Sequence, residues 1–210
     1  VAPFPRLVRT SPLDRKHRTM ASSPQPLPAP DDRDVEVLVV GAGQAGIAMS
    51  EHLSRSGIRH VVVERGRIAE RWRSERWDSL VANGPAWHDR FPGMEFEDVH
   101  PDGFATKEQV AEYMRAYAEK FAAPVRCGVE VRAVRRIDGA PGFDVDTTDG
   151  PYRARYVVAA TGAFQTPVMP PLVPADAGIV QVHSSGYRNP RQLPEGAVLS
   201  HDLLEGSVAR

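Results

Sequence analysis

The sequence predicts a three-layer α/β fold, a parallel sheet with helices packed on it and a small antiparallel β-meander attached. Three observations carry that expectation. Between Val35 and Glu64 an apolar β-branched run, a glycine-rich turn, a helical pattern and a second apolar run follow one another without a gap. From Val129 the apolar period falls to two, with a turn signal at Asp149-Gly150. A further apolar run from Tyr152 to Ala160 then ends in Thr161-Gly162, which would bring a hydroxyl and a bare backbone to a sheet edge.

The first run, Val35, Val37, Leu38, Val39 and Val40, has the composition of a strand buried on both faces of a parallel sheet. Gly41-Ala42-Gly43-Gln44-Ala45-Gly46 follows directly. Gly41 suits the tight turn from strand to helix, Gly43 lets backbone approach a pyrophosphate, and Gly46 lets the helix pack close to the strand. Ala45, Ala48, Met49 and Leu53 lie at helical spacing and are expected to form the buried face of a helix closed by Ser56-Gly57. Ile58 to Val63 reads as the second strand, with Glu64 at its end, eighteen residues beyond Gly46. A carboxylate there can accept hydrogen bonds from the hydroxyls of an unphosphorylated adenosine ribose, as in FAD or NAD. The helix N-terminus would offer N–H groups and its dipole to the phosphates. The unit is therefore expected to be a Rossmann-like dinucleotide-binding fold.

The remaining elements are placed in chain order. Residues 1–33 hold seven prolines, several arginines and a Ser-Ser-Pro-Gln-Pro-Leu-Pro-Ala-Pro tract, a composition that suits a disordered tail. Met20 stands within it, so residues 1–19 are candidates for sequence upstream of the true start, with a transit peptide as the alternative. After Glu64, Arg65 to Leu80 is dense in charge and indole, and Trp72 and Trp77 could wall a planar ring or pack a loop. Val81 to Trp87 and Phe91-Pro92-Gly93 read as loops, which in such folds commonly line the ligand. Thr106 and Gln109 form a capping-box signal for a helix whose apolar face is Val110, Tyr113, Met114, Tyr117 and Phe121, stopped by Pro124. Pro167, Pro170, Pro171 and Pro174 make an extended connector.

Composition narrows the function. The 210 residues are 41% hydrophobic and 25% charged, enough for one core with room for a small subdomain. Lys plus Arg number 26 against 27 Asp plus Glu, so no field favours nucleic acid and a small-molecule partner is expected. No apolar run approaches the roughly 20 residues that span a bilayer, and no membrane association is expected. The default location is cytoplasmic. The single cysteine, Cys127, allows neither an intrachain disulfide nor a Cys-x-x-Cys pair, and reads as a core residue. Seven scattered histidines give no metal-ligand spacing. His183-Ser184 lacks the elbow of a nucleophilic serine. Nothing in the chain specifies an oligomeric state.

Taken together, residues 34–199 resemble the flavin-containing monooxygenases, especially the bacterial branch described as potassium-transport-associated flavoproteins. The resemblance rests on the glycine triplet with Glu64, Trp72, then Trp77-Asp78-Ser79-Leu80-x-x-Asn83, Phe91-Pro92, Tyr113-x-x-x-Tyr117-Ala118-x-x-Phe121, Ala160-Thr161-Gly162 and His183-x-x-x-Tyr187. It implies FAD as cofactor, with Gly41, Gly43, Gln44, Ala45, Gly46, Glu64 and Arg65 at its ADP part and Trp72, Thr161 and Gly162 also against it. It implies that Asn83 sits near the reactive carbon of the flavin as the catalytic residue. It further implies an NADPH-dependent oxidoreductase that passes one oxygen from O2 to a small-molecule substrate through a flavin C4a-hydroperoxide. The alternative is a non-catalytic FAD- or NAD-binding module.

The sequence departs from the family pattern in three places. Glu70-Arg71 replaces paired glycines before Trp72, and Ala177 and Ile179 replace the Phe and Gly of the motif that ends in His183 and Tyr187. Residues 193–199 read as the entry to a second nucleotide-binding strand, which the family follows with a second glycine triplet for NADPH, whereas residues 200–210 here read as an aberrant tail. The expectation is a chain truncated before the NADPH-binding domain, holding FAD weakly and oxidising little NADPH.

Overall fold

The computed structural model describes residues 33–163, 166–171, 173–174 and 176–198. The expectations for most of the N-terminal tail and for residues 199–210 lie outside the described residues. Ten elements follow in order: β1 (Asp34–Val40), α1 (Gln44–Arg55), β2 (His60–Glu64), α2 (Glu70–Ser74), α3 (Ala86–Asp89), α4 (Lys107–Lys120), β3 (Val125–Cys127), β4 (Val131–Arg136), β5 (Phe143–Thr147) and β6 (Tyr152–Ala159). The strands form one six-stranded sheet in the order β3-β2-β1-β6-β5-β4. β3, β2, β1 and β6 are parallel, and β6, β5 and β4 run antiparallel as the expected meander.

β1 is central, and Leu38 and Val39 are fully buried, one toward each face. On one face Val37, Val39 and Val62 pack with Ile47 and Leu53 of α1 and Tyr117 of α4. On the other, Leu38 and Val63 pack with Val129, Val145 and Tyr152 of the meander region. Each fully buried aliphatic side chain is worth about 1.5–3 kcal/mol, so this double-sided burial is what fixes the position of the β1 C-terminus.

α1 corrects one expectation. Its buried face is Gly46, Ile47, Ser50, Glu51 and Leu53, while Ala45 is exposed and Ala48 and Met49 are half-buried. The cause is Gly46, which must face the strand end because any side chain there would strike the Gly41 carbonyl. That requirement turns Ser50 inward, where it meets buried His60: Nδ1–H of His60 donates to the Ile58 carbonyl at 2.9 Å, and Nε2 shares a hydrogen bond with the Ser50 hydroxyl at 2.8 Å.

α4 forms as its capping box indicates, with the Thr106 hydroxyl accepting from the Gln109 N–H and the Gln109 side chain accepting from the Thr106 N–H. Its tyrosines are scaffold. Tyr113 accepts from the Phe91 N–H and donates to the Met94 carbonyl, both at 2.7 Å, and Tyr117 donates to the Pro92 carbonyl at 3.1 Å. The Phe91–Met94 loop is thereby fastened to the helix. Arg33, expected in the tail, belongs to the fold: it pairs with Asp149 at 2.9 Å and lies over the Tyr152 ring.

Candidate functional site: a glycine turn at the sheet edge

Because β1, β2 and β6 are parallel, their C-terminal ends share one edge, and this brings together the glycine turn, Glu64 and Thr161-Gly162. The Gly41 N–H donates to the Val63 carbonyl at 2.8 Å and the Ala160 N–H to the Val40 carbonyl at 2.9 Å, so the three chain segments are joined directly.

The three glycines separate by physical cause. Gly41 has φ of +106°, and a Cβ on it would lie 2.5 Å from the Ala160 carbonyl oxygen. A Cβ on Gly46 would lie 1.8 Å from the Gly41 carbonyl oxygen. Both are therefore required by the protein's own packing. Gly43 is different: its φ of −83° and ψ of −169° suit any residue, and a Cβ there would meet nothing within 4 Å. Its side chain's absence leaves open space in front of the α1 N-terminus. That terminus carries no capping side chain and no acidic residue in its first turn, so its positive end is uncompensated from within. Gln44 and Ala45 are exposed beside it. An open cradle at an uncapped helix start fits the pyrophosphate of a dinucleotide.

Glu64 has a role that its place in the sequence did not reveal. Its Oε2 accepts from the Ala42 N–H and its Oε1 from the Gly66 N–H, each at 2.8 Å. The carboxylate thus staples the glycine turn to the loop after β2. Each oxygen keeps a second lone pair, so a ribose hydroxyl can still donate to it. The Ala69 N–H to Ala42 carbonyl bond, 3.0 Å, adds a second tie from the start of α2 to the same turn.

The other candidates are placed as follows. Thr161 and Gly162 are exposed at the edge, the latter with φ of +84°. Arg65 is exposed with Glu75 3.9 Å away. Trp72 is half-buried against the cluster of Ala69, Ala82, Val110 and Met114, with the Arg76 guanidinium 5.7 Å from its ring centre. Arg67, through its side-chain hydrogen bonds, holds the Glu70 carboxyl down at about 2. Cys127, expected in the core, is instead exposed at the end of β3, in register with Glu64 on β2; partial desolvation first, and then the Glu64 charge, push its thiol up, against a bond from the Ile68 backbone.

Asn83 is exposed on the wall of an open groove of about 480 Å³, whose lining includes Trp77, Leu80, Val81 and Phe104. Residues 80–87 run against 101–107 and are held there by the Lys107 N–H on the Leu80 carbonyl, 3.1 Å, and the Ala82 N–H on the Ala105 carbonyl, 2.7 Å. A second cavity, about 350 Å³, lies at the opposite sheet edge beside Val35, His60 and Arg126 and contains none of the candidate residues. Among the described residues no cluster of His, Cys, Asp and Glu could hold a metal, and no helix is long and apolar enough to cross a membrane.

A parallel sheet with a glycine triplet at its C-terminal edge and an acid ending the second strand defines a nucleotide-binding oxidoreductase fold. The comparisons with known proteins agree. Residues 38–199 match the pyridine nucleotide-disulphide oxidoreductase family model, and the chain belongs to that family. It is 42% identical over 167 residues to a CzcO-like uncharacterized oxidoreductase of Geobacillus kaustophilus, covering 79% of this chain and 47% of that protein. It is 32% identical to the indole-3-pyruvate monooxygenase YUCCA4 of Oryza sativa subsp. japonica, covering 85% of this chain and 45% of that one. Among solved structures, a flavin monooxygenase from Stenotrophomonas maltophilia superposes with a TM-score of 0.66 at 27% identity, covering 76% of this chain and 47% of the other. The chain therefore spans about half the length of the relatives it matches. Flavin monooxygenases are among its relatives, as the motif order predicted, and the lone Cys127 provides no thiol pair for the disulphide chemistry in the family description.

Proposed function

We propose that this chain holds FAD in the cradle around Gly43, as the flavin-binding part of an oxidoreductase that uses NADPH and O2 on a small molecule. The observation that carries the reading is the open space at Gly43, the one glycine of the triplet that the protein's own packing does not require. Bound there, FAD would supply hydride acceptance and O2 activation, chemistry that no amino-acid side chain provides.

The chain's own residues bind and orient. The N–H groups at the start of α1 face the pyrophosphate, and Glu64 accepts from the adenosine ribose while it keeps the turn closed. Gln44, Ala45 and Arg65 flank the ADP half. Trp72, Thr161 and Gly162 lie toward the ring system, and the Asn83 amide offers a donor and an acceptor from the groove wall. Trp77, Leu80 and Phe104 give the groove wall around Asn83 an apolar character. NADPH is assigned no residues of this chain, whose 210 residues hold a single Gly-x-Gly-x-x-Gly triplet.

The test is FAD binding by the purified chain, followed by chemical reduction of the bound flavin and mixing with O2. The reading expects retained flavin and a reoxidation course that Asn83→Ala changes. Retained flavin whose reoxidation matches that of free flavin and ignores Asn83→Ala would make the chain a non-catalytic nucleotide-binding module.

A further inference from the structure

Asp78 and the turn that follows Tyr187, neither of which has a part in the proposed function, meet in the structure across 111 residues of sequence. The Asn189 side-chain amide donates to Asp78 Oδ2 at 2.7 Å, and the Asp78 N–H donates to the Arg188 carbonyl at 2.7 Å. Asp78 is also 3.6 Å from the ammonium of Lys107, whose side chain is 9% exposed and lies equally close to Glu108. The Asn189 hydrogen bond, followed by the Lys107 charge, lowers the pKa of Asp78.

The partner segment is organised for this contact. His183 caps one 3-10 turn, Ser184–Gly186, through its Nδ1 on the Ser185 N–H at 3.1 Å. Asn189 caps the next, Pro190–Gln192, with its Oδ1 accepting from the Arg191 N–H at 3.1 Å. Its amide oxygen is therefore committed to the turn and its NH2 to Asp78. The Arg188 guanidinium donates to the Ser185 and Tyr187 carbonyls, at 2.7 and 2.9 Å, and the Gln192 side-chain amide donates to the Gly186 carbonyl at 3.3 Å, which ties the second turn to the first.

Asp78 begins the strip that becomes the groove wall. Leu80 is bonded to Lys107, Val81 bridges to Thr106, and Asn83 stands two residues beyond Val81. We propose that Ser184–Gln192 is a strap latched to Asp78 by Asn189, with Lys107 as the counter-ion, and that Asp78 is a positioning residue whose latched state sets the wall carrying Asn83. This deepens the proposed function, since it names what holds the groove, but its test needs no flavin.

The test exploits the chemistry of the pair. Asn189→Asp keeps a side chain suited to capping the Pro190–Gln192 turn but sets two carboxylates against each other; adding Asp78→Asn restores a donor-acceptor pair with the roles exchanged. In the full chain, trypsin should cleave after Arg188 roughly tenfold faster in Asn189→Asp than in wild type, the scale of one charge-assisted hydrogen bond. The backbone amide resonances of Ala82, Asn83 and Gly84 should shift with it. Asn189→Asp with Asp78→Asn should return both to wild-type values, with far-UV circular dichroism unchanged throughout. Unaltered protection of Arg188 in Asn189→Asp, or opening that the second substitution does not reverse, would overturn the latch. Reversal of cleavage with the Ala82–Gly84 amides unmoved in every variant would overturn the coupling to the groove. A failure of FAD binding, measured separately, touches the proposed function and leaves these outcomes intact.

Discussion

The contrast between Gly43 and Gly46 gives the sharpest prediction. Valine at position 43 enters a backbone with φ of −83° and ψ of −169°, an extended conformation that β-branched residues favour, and its Cβ meets nothing within 4 Å. Reducing the freedom of the unfolded chain contributes about 0.4–1 kcal/mol in favour of the variant, so its melting temperature should stay within a few degrees of wild type. Its isopropyl group fills the space left for a pyrophosphate, and FAD affinity should fall by roughly 100-fold or more, about 2.7 kcal/mol. Alanine at position 46 is the opposite case. Its methyl would lie 1.8 Å from the Gly41 carbonyl oxygen, so α1 must move off the strand end, and a loss of about 3 kcal/mol or more is expected, at or above the usual range for overpacking. That is a large part of the roughly 5–15 kcal/mol that holds a domain folded. Thermal melts by circular dichroism and FAD titration by flavin fluorescence read both variants. Full flavin retention in Gly43→Val would remove the cradle, and wild-type stability in Gly46→Ala would refute the packing argument.

Three further outcomes follow from the same contacts. Glu64→Ala removes the acceptor of two backbone N–H groups and should cost about 2–4 kcal/mol in urea unfolding even without nucleotide, while Glu64→Gln, which keeps one carbonyl oxygen, should lose less. Tyr113→Phe leaves the Phe91 N–H and the Met94 carbonyl unpaired and should lower stability by about 1–3 kcal/mol, with faster amide exchange confined to residues 91–94. For Glu70, the folded pKa of about 2 lies below the ordinary glutamate value of 4.5. Its contribution is therefore present above 4.5 and lost as pH falls from there through about 2; a carboxyl resonance of Glu70 that titrates near 4.5 would refute the Arg67 pairing.

The sequence and the structure agree where one local rule dominates. The β-branched run of β1, the glycine triplet, the Thr106–Gln109 box and the Asp149-Gly150 turn each have a mechanism confined to a few neighbours, and each forms where it was expected. The α1 face differs from its helical periodicity because periodicity counts apolar residues, whereas the orientation is set by Gly46 against the Gly41 carbonyl, a contact with a backbone atom that no hydropathy pattern records. β3, three residues long, is too short to show a period. At the site, the triplet and Glu64 were legible as a cradle, but the double hydrogen bond of Glu64 to Ala42 and Gly66 depends on how two loops approach in space. Asp78 stood in a noted motif, yet its partner lies 111 residues away and only the fold joins them.

The central claim is that the cradle grips the ADP half of FAD, and comparative ligand titration tests it most directly. Calorimetry on the purified chain with FAD, ADP and FMN should give binding of FAD and weaker but measurable binding of ADP, both removed by Gly43→Val, and little binding of FMN, which lacks the adenosine and the second phosphate. FMN binding as tight as FAD, or ADP binding that survives Gly43→Val, would contradict it.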